Sequence, residues 1–229
     1  MNAIKVLVVD DEKSMRDFVR RNLEVRGYQV LIAANGLEAM AVFNTTQVDL
    51  VILDIMMPHQ DGLETTRRIR QSSDVPIIIL TALGEEADKV HAFDLGVDDY
   101  LTKPFGVGEL LGRLKAVLRR SHWSEPASTD ERIVRGEISA ELASHRITIH
   151  GQPIVLTPTE YNLLVYLMRN AGKALTHHAI LQHVWGPEYS GEAEYLRVYI
   201  GRLRQKIESD PLNPRYLHTE HGIGYRFEA

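Results

Sequence analysis

The feature that most limits what this chain can become is an alternation. Through the first half, short β-branched runs take turns with helix-patterned segments: IKVLVV, MRDFVRRNLEV, YQVLIA, LEAMAVF, VDLVILD, LETTRRIR, VPIIIL, EADKVHAFDLG, YLTK and VGELLGRLKAVLRR. Five strand signals, each followed by a helix signal, predict an α/β unit with a parallel sheet covered by helices on both faces. Runs such as VLVV and IIIL are apolar without alternating, as strands buried from both sides are.

The alternation stops at SHWSEPASTDE, a Ser- and Pro-rich stretch that reads as a linker. Two domains are therefore expected, residues 1–120 and 132–229, joined by 121–131. The second opens with short strand-like segments punctuated by Gly and Pro. Three helical patterns follow, and then a Gly-containing hairpin, RYLHTEHGIGYRF. The 229 residues contain no cysteine, which removes disulfides, thiol nucleophiles and Cys-ligated zinc and fits a cytoplasmic location. No apolar run approaches the roughly 20 residues of a membrane helix, and no signal peptide is expected. The formal charge of -5 argues at first against nucleic-acid binding. Both halves are mildly acidic, with 15 Lys/Arg against 18 Asp/Glu through residue 121 and 11 against 13 beyond it. Charge placement has to decide.

In an open parallel sheet, ligands bind outside the carboxyl ends of the strands. Here the first strand runs into Asp10, Asp11 and Glu12, the third ends at Asp54, the fourth at Thr81 and the fifth at Lys103. Crowded carboxylates repel, and a hard divalent cation with oxygen ligands relieves the repulsion. Mg²⁺ suits the inventory. With the cation and Lys103 neutralising the site, one carboxylate can act as nucleophile toward a phosphoryl group. Asp54, at the end of the apolar LVILD run, is the candidate, with Thr81 and Lys103 contacting phosphoryl oxygens.

The motifs VVDDE, VILDIMMPHQDG, ILTA and DDYLTKPF resemble, in order, those of the receiver domain of two-component response regulators. The resemblance implies a flavodoxin-like fold with strand order 2-1-3-4-5 and a phosphoacceptor at Asp54. It implies Mg²⁺ bound by Asp11, Asp54 and the Met56 carbonyl, with Asp10 assisting through water. It also implies a cis bond before Pro104 and a Thr81–Tyr100 switch pair.

In the second half, Thr157, Pro158 and Glu160 form a helix start. The last helix is expected at about 192–208. Leu196, Ile200, Leu203 and Ile207 define its buried stripe. Projection at 100° per residue puts Glu194, Val198, Gly201, Arg202 and Gln205 outward, with Arg197 and Arg204 on one flank and Tyr195, Tyr199 and Lys206 on the other. Four cations and no acid lie between residues 197 and 206, so a basic helix sits inside an acidic chain. Such a helix suits the major groove of DNA. Arg202 and Val198 are the expected base readers, and Arg197, Tyr199, Arg204 and Lys206 the expected phosphate or edge contacts. His177, His178 and His183 lack a carboxylate at metal-ligand spacing, so surface or cap roles are expected for them.

The segments LTPTEYNLLVYLMRNAGKALTHHAILQHVWG, YLRVYIGRLRQKIE and HTEHGIGYRF resemble the winged helix-turn-helix effector of the OmpR/PhoB family. This implies a DNA-reading helix, a wing with Gly222 and Gly224 at its turn, and a loop from Trp185 to Gly191 facing RNA polymerase. It also implies a symmetric dimer through a charged receiver face of Lys89, Asp98, Asp99, Glu109, Arg113 and Arg120. His221 stands at a wing position where Arg is frequent, and Gly201 where a cation is common. Both departures resemble the KdpE-like branch, regulators of potassium-uptake genes. The expected function is thus a cytoplasmic transcription regulator, phosphorylated on Asp54 by a sensor histidine kinase, whose only catalysis is its own phosphorylation and dephosphorylation. The competing readings are a Mg²⁺-dependent aspartyl-phosphate phosphohydrolase and a phosphorylation-independent DNA-binding protein.

Overall fold

The computed structural model describes residues 3–82, 95–121, 132–189 and 193–229. The chain divides into two compact units, residues 1–118 and 119–229. The expected linker, apart from Ser121, and the expected helix from about Glu86 to Gly96, apart from its last two residues, lie outside the described residues.

In the first unit, β1 (Lys5–Val9), β2 (Gln29–Ala33), β3 (Leu50–Asp54), β4 (Ile77–Ala82) and β5 (Asp99–Lys103) form one sheet in the order β2-β1-β3-β4-β5. Each neighbouring pair is parallel. The strands' side chains alternate between two cores. Val6, Val8, Leu50, Ile52, Ile78 and Leu80 pack with Val19 and Leu23 of α1 (Lys13–Glu24) and Leu110, Leu114 and Val117 of α4 (Val107–Ser121). Leu7, Val9, Val51, Leu53, Ile77 and Ile79 pack on the other face with Ala39 of α2 (Gly36–Thr45) and Ile69 of α3 (Gly62–Arg70). The uninterrupted apolar runs follow directly, since a central strand needs an apolar residue at every position to satisfy both faces.

The second unit opens with an antiparallel sheet of β6 (Arg132–Arg135), β7 (Ile138–Glu141), β8 (Arg146–Ile149) and β9 (Gln152–Ile154). Helix α5 (Pro158–Arg169) starts as its sequence implies. Thr157 accepts from the Glu160 N–H, the Glu160 side chain accepts from the Thr157 N–H, and Pro158 occupies the first turn. A two-residue strand β10 (Leu175–Thr176) leads into α6 (His177–Val184), capped by Thr176, which accepts from the Ala179 N–H at 3.1 Å. A 3-10 turn at Pro187–Tyr189 precedes α7 (Ala193–Ile207). The chain ends in a hairpin, β11 (Leu217–Glu220) and β12 (Gly224–Phe227), that joins β10 in a sheet of order β10-β12-β11. Trp185, Tyr195 and Tyr199 are buried and in mutual ring contact around the start of α7, and buried Tyr189 joins them through Tyr195. Among the described residues no helix is long and apolar enough to cross a membrane.

Candidate functional site

Strand register assembles the first site. Val9 of β1 lies level with Leu53 of β3, so Asp10 follows β1 at the height where Asp54 ends β3. Asp54 is level with Leu80, Thr81 with Thr102, and Ala82 with Lys103. All four chemically active positions therefore reach the same sheet edge. Gly62 closes the site from behind. A Cβ there would lie 2.2 Å from the Asp54 carbonyl oxygen, so only glycine lets α3 begin against the end of β3.

Asp10 and Asp54 are buried and Asp11 is exposed, and their carboxylate oxygens lie within 4.8 Å of one another. The Lys103 ammonium spans the two buried acids, 2.8 Å from an oxygen of Asp10 and 3.0 Å from one of Asp54. The other Asp10 oxygen accepts the Glu12 N–H at 2.8 Å, which fixes the loop. Burial pushes the Asp54 carboxyl above the ordinary aspartate range. Lys103 pulls it back, while the negative charges of Asp10 and Asp11 push with burial. Burial works against the charged form of Lys103 as well, but its bonds to Asp10 and Asp54 outweigh that and hold it above its usual value. The pocket thus has more negative charge than one ammonium neutralises, and one open, solvent-facing carboxylate. That donor set suits a hard cation with retained waters. Thr81 is buried, its hydroxyl donating a long 3.4 Å bond to the Ala82 carbonyl. Met56, two residues beyond Asp54, has an exposed side chain. The Lys103–Pro104 bond is cis.

Tyr100 is half-buried against the core between the sheet and helices α2 and α3, and the Arg113 guanidinium lies 5.4 Å over its ring. The charged face expected around it is largely turned inward. Asp98 is buried and paired with Arg70 at 2.9 Å while accepting the Ile77 N–H, so it braces the start of β4 rather than facing outward. Asp99 is buried and held by Arg113 at 2.9 Å. Arg113 also reaches Glu109 of its own helix, at 3.5 Å, and Glu109 remains exposed. Arg120, near the end of α4, is buried. Lys89 lies outside the described residues.

Helix α7 corrects the expected DNA-contact set. Arg202, projected outward, is buried, with its Nε 3.3 Å from Glu160 Oε1 and its guanidinium 4.9 Å over the Tyr199 ring. Tyr199 is buried as well. Lys206 reaches back to Glu160 Oε2 at 2.6 Å and to the Val155 carbonyl at 3.2 Å. Arg204 donates to the Leu217 carbonyl at 3.0 and 2.6 Å and to the Thr219 hydroxyl at 2.9 Å, fastening α7 to β11. The cause is Glu160. It was legible as half of a capping box, but its burial at the α5 terminus makes it an anion that draws two cations off the helix surface. A buried carboxylate cannot remain unpaired without a large penalty. Five residues remain accessible on the outer side of α7, namely Glu194, Arg197, Val198, Gly201 and Gln205. Arg197 has 60% of its side chain exposed and pairs with Glu194 at 2.6 Å. At the wing, His221 is exposed and Gly222 takes a left-handed φ of 75° in the turn. Gly224 serves a different need, since a Cβ there would lie 2.0 Å from the Leu175 carbonyl oxygen and would separate β12 from β10. The segment from Trp185 to Tyr189 is described, with the Trp185 ring wholly buried. Ser190 and Gly191 are outside the described residues.

Comparison with known proteins gives this arrangement its class. Residues 6–115 match the response regulator receiver domain, and residues 151–227 match the C-terminal domain of transcriptional regulatory proteins. The chain belongs to the OmpR/PhoB type of two-component response regulators, in the KdpE-like branch. It is 45% identical over 222 residues to the KDP operon transcriptional regulatory protein KdpE of Escherichia coli K12, covering 97% of this chain and 98% of that one. It is 42% identical to the transcriptional regulatory protein KdpE of Mycobacterium tuberculosis CDC 1551, over 98% and 99% of the two chains. The sensory transduction protein RegX3 of Mycolicibacterium smegmatis is 40% identical over the same shares. Among solved structures, Thermotoga maritima DrrB, an OmpR/PhoB homologue, covers the whole of both chains at 30% identity with a TM-score of 0.53. A RitR mutant, C128S, reaches a TM-score of 0.81 over 99% of this chain and all of its own. At 23% identity that likeness speaks to the fold alone. The molecule is a phosphorylation-activated, DNA-binding transcription regulator.

Proposed function

We propose that a sensor histidine kinase supplies the phosphoryl group and that Asp54 accepts it. The observation that carries this reading is the convergence of Asp10, Asp11 and Asp54 within 4.8 Å, with Lys103 spanning the two buried acids. A P–N bond to the kinase histidine breaks and a P–O bond to an Asp54 oxygen forms. Lys103 is placed to contact the transferred group, and Thr81 borders it one register step away. Asp11, Asp54 and the Met56 carbonyl would hold Mg²⁺, with Asp10 supporting, and the ion would supply the positive charge that the transferring group needs. Thr81 and Tyr100 are the elements proposed to report phosphorylation to the receiver surface. A homodimer through that surface would carry two winged helices to repeated promoter half-sites. Glu109, exposed beside the Asp99–Arg113 pair, supports a face where ion pairs are exchanged between subunits.

The KdpE relatives support control of potassium-transport genes, and a cytoplasmic location follows from promoter binding. Contact with RNA polymerase through the 185–191 loop belongs to the same reading. The receiver catalyses its own phosphorylation and dephosphorylation and turns over no other substrate. Incubation with acetyl phosphate and Mg²⁺, followed by mass mapping, tests the assignment. One phosphoryl group should appear on Asp54, and none on an Asp54→Ala chain. Modification at another residue, or steady hydrolysis of small phosphate esters, would overturn it.

A further inference from the structure

The DNA-reading helix contains a residue that weakens it for no reason inside its own domain. Gly201 lies mid-way along α7, in ordinary right-handed helix. Glycine there loses more backbone freedom on folding than alanine would, so the helix is less stable for its presence. A close approach within the fold justifies that cost at Gly62 and Gly224, where a Cβ would lie 2.2 and 2.0 Å from a carbonyl oxygen. At Gly201 a Cβ would meet nothing within 4 Å among the described residues. The domain therefore accommodates alanine at this position and gains stability from it. A requirement for a bare backbone has to come from something outside the domain.

The position of Gly201 indicates what that is. Arg197 and Val198 lie four and three residues before it and Gln205 four after, so they share its side of the helix. Arg197 and Gln205 are exposed and Val198 partly so, while Ile200, Arg202 and Leu203 on either side of Gly201 are buried. Gly201 is thus the centre of the accessible strip, where a helix lying in a groove comes nearest the groove floor. The major groove is about 12 Å wide and just admits a helix with its side chains. Removing the central side chain lets the backbone settle deeper and brings the flanking Arg197, Val198 and Gln205 within reach of base edges.

We propose that Gly201 is a specificity-determining residue, whose bare backbone seats against the edge of a base pair in the major groove. This rests on the reading of α7 as the DNA-contacting helix. A side chain at 201 would hold the helix off the bases while leaving peripheral phosphate contacts in place, so it would penalise the correct sequence selectively.

The test uses the full chain treated with acetyl phosphate and Mg²⁺ at fixed salt. The first probe is a duplex enriched by the wild-type protein from a random-sequence pool, and the second is a scrambled duplex of the same composition. Gly201→Ala should raise the melting temperature of the DNA-binding unit by about 2–4 °C. It should also lower affinity for the enriched duplex by about tenfold or more, while changing affinity for the scrambled duplex less than about twofold. Unchanged affinity for the enriched duplex, equal losses on both duplexes, or a lower melting temperature would each overturn the assignment. If the wild-type chain enriches no sequence at all, the DNA-reading role of α7 fails first, and that outcome is distinct from a variant that keeps full discrimination.

Discussion

The receiver edge and helix α7 both collect charged residues, yet the two regions organise them in opposite ways. At the receiver edge, Asp10, Asp54 and Lys103 come from three strands and converge in one pocket, with carboxylates in excess. On α7, Arg202, Arg204 and Lys206 sit within one turn and a half of helix and diverge, two to Glu160 and one to β11. The difference lies in what fixes a side chain's direction. A strand end is placed by register, which is discrete, and a parallel sheet brings successive carboxyl ends to one side. A helical face is placed by whatever packs on it, and a buried anion can reclaim a cation that projection assigns to solvent.

The most disruptive way to probe this contrast is Glu160→Ala. It leaves the buried Arg202 without its carboxylate partner and removes half of the capping box, so the second unit should lose roughly 3–5 kcal/mol, read by urea denaturation. A loss under about 1 kcal/mol would mean that Glu160 is a simple cap. Arg197→Ala acts on the same helix without touching its anchorage. It should cost about 1–3 kcal/mol on a specific duplex and much less on a scrambled one, with thermal stability unchanged. Arg202→Ala, by contrast, should lower thermal stability first and weaken both duplexes together. If Arg202 instead showed the sequence-selective loss, the inward placement of its guanidinium would be wrong in the DNA-bound state.

Much of this was legible in the sequence, and the limits have physical causes. Four of the five apolar runs lead into Asp, Thr or Lys, which was enough to place the pocket, because its position depends on alternation and chain polarity, whereas the strand order came from the family resemblance. The Thr157–Glu160 box announced α5 but not the burial of Glu160, which depends on how α5 and α7 cross. The width of the buried face of α7 was hidden for a related reason. Leu196, Ile200, Leu203 and Ile207 marked its centre, but Tyr195 and Tyr199 widen it through contact with Trp185, a residue distant enough in sequence to leave no periodic trace. Asp98 read as a surface charge because its partner Arg70 lies 28 residues away.

Smaller effects sharpen the receiver side. The Asp54 carboxyl is held above the usual aspartate range, so the folded chain keeps a proton there that the unfolded chain has released. Folding stability without metal should therefore fall as pH rises from 3.8 through the raised value and be flat above it. Mg²⁺ requires the ionised form, so its affinity should weaken on acidification starting at a higher pH than for an ordinary aspartate. Lys103→Ala removes the ammonium that favours ionisation and should move that onset higher still, measured by calorimetric Mg²⁺ titration across pH. An onset moved lower would contradict the placement of Lys103 between Asp10 and Asp54. The smallest effect is expected at the α6 cap. Thr176→Ala should cost about 1 kcal/mol by urea denaturation, without changing sequence discrimination.

The two regions are linked, in the proposed function, by a phosphoryl group in the acidic pocket that governs what the basic helix does. Quantitative DNA binding by the full chain, with and without acetyl phosphate, in wild type and Asp54→Ala, measures that link directly. Phosphorylation should tighten wild-type binding to a paired half-site and leave Asp54→Ala unchanged. An equal gain in both proteins, or none in wild type despite full modification of Asp54, would contradict it.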